Sequence, residues 1–249
     1  MIRIRSFFCI ACLVSSTLWS QQPETPQPPR LRFLFLDESP GHYDLKLGRN
    51  GYQQISAGPY EISAPYTPAD TKPLEIYKTL PDPTSGATRP VKIATVQPPA
   101  NTPSVLVLIT PRPAVSADVP PVYQVELINC DPAAFPAGSV RVINRGKVAL
   151  GTQFGSTQAV TESGATNILR PATDSRHRVF FKIAVQNPHE PTGWELLQHS
   201  LTVIPPSHRL YGILVFSPSG MKHMLTPSEL AELGPPPPGH FWLTFSDSP

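Results

Sequence analysis

The sequence predicts an all-β protein: two tandem β-sandwich units followed by a short C-terminal helix and strand. Three observations carry this reading. Proline accounts for 33 of 249 residues, more than twice the usual ~5%, while only 15% of residues are charged against a usual ~25%. Short β-prone runs recur between Gly, Pro, Asn and Asp at ~8–12-residue spacing. A block of the first half also returns in the second at an offset of 107 residues. This composition excludes a long coiled coil, a helical bundle, a polytopic membrane protein and a polybasic nucleic-acid binder.

Residues 1–20 have the layout of a secretory signal. Arg3 and Arg5 form the positive end, Phe7 to Val14 a short apolar stretch, and Leu18-Trp19-Ser20 a tolerable cleavage site. The apolar stretch is too short to span a bilayer as a helix. Pro-rich residues 21–29 follow as an extended spacer. The expected location is therefore outside the cytoplasm: periplasm, cell surface or medium. Cys12 preceded by Ala11 offers a lipoprotein variant of the same export route. Of 20 Lys+Arg and 18 Asp+Glu, the leader removes two arginines and no acid, leaving 18 of each. A near-neutral mature chain has no electrostatic footprint for nucleic acid. No transmembrane span is expected in it. With Cys9 and Cys12 gone, Cys130 stands alone, so no internal disulfide can form, and it reads as a small buried hydrophobe.

The repeat divides the remainder. Thr95-Val96-Gln97-Pro98-Pro99 returns as Thr202-Val203-Ile204-Pro205-Pro206, and both blocks end twelve residues later at Pro111 and Pro218. Upstream, Gly58, Ile62 and Pro65 return as Gly164, Ile168 and Pro171. Leu31-Arg32-Phe33-Leu34 matches Val140-Arg141-Val142-Ile143. Two units are expected at 30–112 and 121–219, with a linker at 113–120 and a tail at 220–249. Strands are expected in the first unit at 31–37, 42–48, 52–56, 60–64, 74–78, 91–96 and 104–110. In the second they are expected at 122–128, 139–144, 148–154, 158–162, 179–185, 195–204 and 209–216.

Val105–Ile109 and Ile213–Phe216 are apolar at consecutive positions. A strand open to water on one face should alternate. Either the two units pack on each other, or on the tail, through these strands, or each strand sits at the centre of a thick core. In the tail, Thr226-Pro227-Ser228-Glu229 is a helix start: a hydroxyl cap, proline at the first position, and Glu three residues after the cap. Gly234 ends the helix, Pro235 to Pro238 run extended as a stiff spacer, and His240 to Phe245 read as a last strand on a sheet edge.

Motifs for nucleophilic, phosphate-binding and zinc chemistry are missing: no G-x-S-x-G, P-loop, dinucleotide fingerprint, H-E-x-x-H or mature C-x-x-C occurs. Met221, His223 and Met224 form the strongest metal-like cluster, with thioether and imidazole donors that suit copper. The competing role for this stretch is a loop anchored to the core by Met221 or Met224. Asp37, Glu38 and Asp44 could offer oxygens to calcium but match no recognised loop spacing. Glu126, Glu190 and Glu195 show no pairing for acid–base work, and His177 reads as a surface residue. Tyr60, Tyr123, Trp194, Tyr211 and Trp242 could line a sugar platform, but aromatics at strand positions are more often core.

The leader, the phrase Phe135–Asn144 (FPAGSVRVIN) and Trp194-Glu195-Leu196-Leu197 resemble uncharacterised secreted bacterial proteins with tandem immunoglobulin-like β units. The resemblance implies two immunoglobulin-like β-sandwiches and assigns no activity. Two-domain periplasmic pilus chaperones are similar in size and export, without a counterpart of their motifs here. The expected function is a non-enzymatic binding or structural module at the cell envelope. Its expected partner is another envelope or extracellular protein, or a polysaccharide, and no cofactor is expected. The alternatives are a periplasmic copper-handling protein and a carbohydrate-binding or hydrolytic accessory protein.

Overall fold

Alternation of apolar and polar side chains, broken by proline and glycine, builds this chain strand by strand. The computed structural model describes residues 28–37, 42–47, 51–58, 60–81, 86–112, 123–221, 225–234 and 236–247. Strands make up 55% of the chain and helix 3%. The expected linker at 113–120 and the expected signal lie outside the described residues.

Four sheets form. A first inner sheet holds β1 (Arg30–Phe35), parallel to β6 (Ser104–Pro111), with β7 (Tyr123–Asn129) antiparallel on the other side of β6. A first outer sheet holds β2 (Tyr43–Leu47), β3 (Gly51–Ile55), β4 (Leu74–Pro81) and β5 (Thr88–Val96), in the order β3-β2-β4-β5. A second inner sheet pairs β8 (Val140–Arg145) in parallel with β14 (Arg209–Ser217). It is flanked by β11 (Thr166–Leu169) and by β15 (Gly239–Asp247). A second outer sheet holds β9 (Leu150–Phe154), β10 (Thr157–Thr161), β12 (Arg178–Gln186) and β13 (Trp194–Val203), in the order β10-β9-β12-β13. Phe154 pairs with Thr157 across a two-residue turn, where Gly155 has φ 58°, the positive φ that tight hairpins require.

Three cores lie between these four layers. Phe33, Phe35, Tyr43, Leu45, Ile76, Val105, Val107 and Ile109 fill the first sandwich. Val140, Val142, Leu150, Phe154, Phe181, Ile183, Leu210 and Leu214 fill the second. Leu34, Leu106, Leu108, Ile128, Ile143, Tyr211, Ile213 and Val215 form a central core between the two inner sheets. The continuous apolar runs are thereby explained. Along β6, odd-numbered residues face the first sandwich and even-numbered ones face the centre. Along β14, Leu210 and Leu214 face the second sandwich, while Tyr211, Ile213 and Val215 face the centre. Each such side chain gains about 1.5–3 kcal/mol from burial, so the two inner sheets are held by a core of ordinary strength.

Two segments differ from expectation. Residues 60–64 make one isolated bridge rather than a strand, Ile62 to Leu34, and Tyr66 just beyond them makes another to Leu31. Tyr60 has φ 58°, Pro65 lacks a donor, and the Ser63 hydroxyl accepts the Phe33 N–H at 2.9 Å in place of a ladder carbonyl. Tyr123–Asn129, grouped by sequence with the second half, hydrogen-bonds to β6.

The tail follows its sequence closely. Helix α1 (Pro227–Leu233) carries a complete capping box between Thr226 and Glu229, with proline in its first turn and Gly234 at its end. Pro236 and Pro237 then cross over Gly220, where a β-carbon would meet their carbonyl oxygens at 2.7 and 2.5 Å. This path delivers β15 to the edge of the second inner sheet.

Candidate functional site

The most exposed apolar surface belongs to the second outer sheet. On β12, Val179, Phe181, Ile183 and Val185 point into the core, so Phe180 and Ala184 point out. Phe180 pairs across the ladder with Leu201, and Ala184 with Leu196. Val160, Phe180, Leu196, Leu201 and Val203 are all exposed, Phe180 at 65% and Leu196 at 59%. Trp194 lies across Gly151, where a β-carbon would come within 3.1 Å of the indole. The outer face of the first outer sheet is different. Glu75 there binds both Lys46 and Lys92, Lys46 lies over the Tyr77 ring, and Tyr52 meets Tyr77 edge-on.

The edges differ in the same sense. β13 ends the second outer sheet and β5 ends the first. β5 carries Arg89, Pro90 and Lys92, residues that discourage strand pairing at an edge. β13, WELLQHSLTV, is ten residues long with one charge and no proline. A long, near-neutral, apolar edge is a template for an added strand.

Buried polar clusters mark the two ends of the central core. Where β6 and β14 begin, Arg209 Nη2 donates to Asp247 at 2.7 Å, and its Nη1 donates to the Cys130 carbonyl at 2.5 Å. Arg32 pairs with the same aspartate. The Tyr211 hydroxyl contacts Cys130 Sγ at 3.1 Å, and Arg141 and Arg209 lie over the Phe135 ring at 4.4 and 5.2 Å. Burial beside Cys130 pushes the Tyr211 phenol far up, and burial lowers the Arg141 guanidinium. The cavities here measure about 10 and 60 Å³, below the ~300 Å³ of small ligand pockets.

Where β6 and β14 end, a cleft of about 630 Å³ opens between the inner sheets, lined by Leu36, Tyr60, Arg112, Arg145, Lys147 and Phe216 among others. Beside it the Asp37 carboxylate accepts from Lys78 Nζ at 2.7 Å, Tyr123 at 2.5 Å and Tyr43 at 3.1 Å. Burial, then the Asp37 charge, push the Tyr43 phenol far above its ordinary value.

The residues singled out in the sequence scatter across these regions. Met221 is buried in the central core, while His223, Met224 and Glu38 lie outside the described residues. Asp37 is engaged by Lys78, Tyr43 and Tyr123, and Asp44 sits half-buried on β2. Glu126 accepts from Arg145 Nε at 3.0 Å, and Glu195 accepts from Asn187 at 2.9 Å. Glu190 is exposed in a turn, as is His177, with φ 58°. Trp242 packs on Gly212 and belongs with the second core. Cys130 is buried at 2% exposure. Among the described residues no three His, Cys, Asp or Glu converge as a metal site, and no helix is long and apolar enough to cross a membrane. Sequence reasoning passed over Phe180, Leu201, Arg112, Lys147 and Phe216. The bare edge was visible as a contrast between RPVK in β5 and LLQHSL in β13, once the two strands are set side by side. Comparison with protein-family models and with curated proteins finds no match to this chain.

Proposed function

We propose that this chain is an exported, non-enzymatic binding protein of the cell envelope. In this reading it is built from two tandem immunoglobulin-like β-sandwich units and recognises another envelope or extracellular protein by strand addition at β13. The bare, apolar edge and outer face of the second outer sheet carry the reading, because the first outer sheet guards the same positions with charge and proline. The signal-like leader supports export. The tandem reading is supported by the ladders: each half has a parallel pair, β1 with β6 and β8 with β14, and an antiparallel edge strand, β7 or β15. Each also has a bulge in the outer sheet, between Ile76 and Tyr77 or between Ile183 and Ala184. Those bulges lie 107 residues apart, the offset of the sequence repeat.

The test is hydrogen exchange of the mature protein with and without an envelope fraction, beside photo-crosslinking from position 199. Slowed exchange of β13 amides, and a crosslinked partner lost in the L196K/L201K variant, are expected. Unchanged β13 exchange, or identical partners for both proteins, would overturn the reading. N-terminal sequencing of protein recovered outside the cytoplasm should begin at Gln21.

A further inference from the structure

We infer that the cleft at the open end of the central core is a binding site for a small amphipathic organic anion: one carboxylate or phosphate group on an apolar body. The site is distinct from β13 and does not depend on that surface. Its volume of about 630 Å³ falls in the ~300–1,000 Å³ range of small-molecule pockets. Its floor is one end of the central core: Leu36, Tyr60 and Val215 are buried in that cluster, and Phe216 is half-buried beside them.

The electrostatics select the sign of the ligand. Among the described residues the one carboxylate in the lining, Asp37, is buried and bound to Lys78 and two phenols. Arg145 is held by Glu126 and by the carbonyls of Asn144 and Gly164. The Arg112 guanidinium and the Lys147 ammonium remain, and among the described residues neither makes an ion pair. Lys147 Nζ lies 3.8 Å from the centre of the Phe216 ring, and that ring meets His240 edge-on. A cation held against an aromatic face has lost water on one side, and an anion in the cleft would meet it on the other. An acidic group therefore seats between Arg112 and Lys147, with its apolar body over Phe216, Tyr60 and Leu36. An uncharged or cationic analogue of the same body lacks that anchor.

The experiment is calorimetric titration of the full mature chain below the critical micelle concentration. The probes are laurate, dodecyl phosphate, dodecanol and dodecyltrimethylammonium. Laurate and dodecyl phosphate are expected to bind at one per chain, at least tenfold tighter than dodecanol, with no saturable binding of the ammonium. R112M and K147M should each weaken laurate at least fivefold, and K147R should restore it. These residues are exposed, so near-ultraviolet circular dichroism should match the parent. Equal affinity for all four probes, indifference to both variants, or binding only to anionic vesicles and not to monomeric laurate would overturn the inference.

Discussion

Lys78 is fully buried, and its ammonium reaches Asp37 at 2.7 Å, a carboxylate that also accepts from the Tyr43 and Tyr123 hydroxyls. A buried ion pair is weak evidence for net stability, but breaking one side of it is costly. K78M should lower unfolding free energy by about 3–5 kcal/mol, read from urea denaturation. The double variant K78M/D37L should recover part of that loss, and a double variant no better than K78M would show that charge compensation is not what the pair supplies. Tyr43 and Tyr211 give a second test. Both phenols are raised in the fold, first by burial, whereas in the unfolded chain they ionise near ~10. Above that pH the native state holds more protons than the unfolded one, so stability is full below pH ~10 and falls as pH rises further. Absorbance at 295 nm should show that some of the seven tyrosines ionise only as the chain unfolds. Ionisation of all seven with unchanged far-ultraviolet dichroism would refute this. None of these partners could be read from sequence, because Asp37 and Lys78 are 41 residues apart and meet only when the outer sheet that holds β4 packs on the inner sheet that holds β1.

At the scale of elements, β14 and β15 pair over nine residues with Gly212 opposite Thr244. The neighbouring Trp242 ring occupies the space a β-carbon at 212 would need. G212A should therefore destabilise by about 1–3 kcal/mol or more through overpacking, and a Tm equal to that of the parent would show that the indole moves aside freely. Most strands were legible because alternation and turn residues are local signals, and the capping box of α1 was legible for the same reason. Residues 60–64 were not. Their alternation matches a strand, but Pro65 and the positive φ of Tyr60 leave too few ladder bonds to form one. β7 was assigned to its sequence neighbours because the repeat ends before it, and only hydrogen bonding to β6 shows where it belongs.

For the whole molecule, the central core joins the two halves through side chains of the same kind and burial as those inside each sandwich. I213A should cost about 2–5 kcal/mol and should weaken both halves together. Trp194 and Trp242 report the second half by fluorescence, and hydrogen exchange of β1 and β6 reports the first. One coincident urea transition is expected, and two separated transitions would mean that the central core does not couple the halves. By itself the sequence determined the all-β character, the repeat, the tail helix and the need to cover β6 and β14 on both faces, since composition, spacing and periodicity are properties of short stretches of chain. Only the tertiary structure decided what covers those faces, which strands end as bare edges and which charges, among the described residues, make no ion pair, because each of these depends on surfaces brought together from distant parts of the chain.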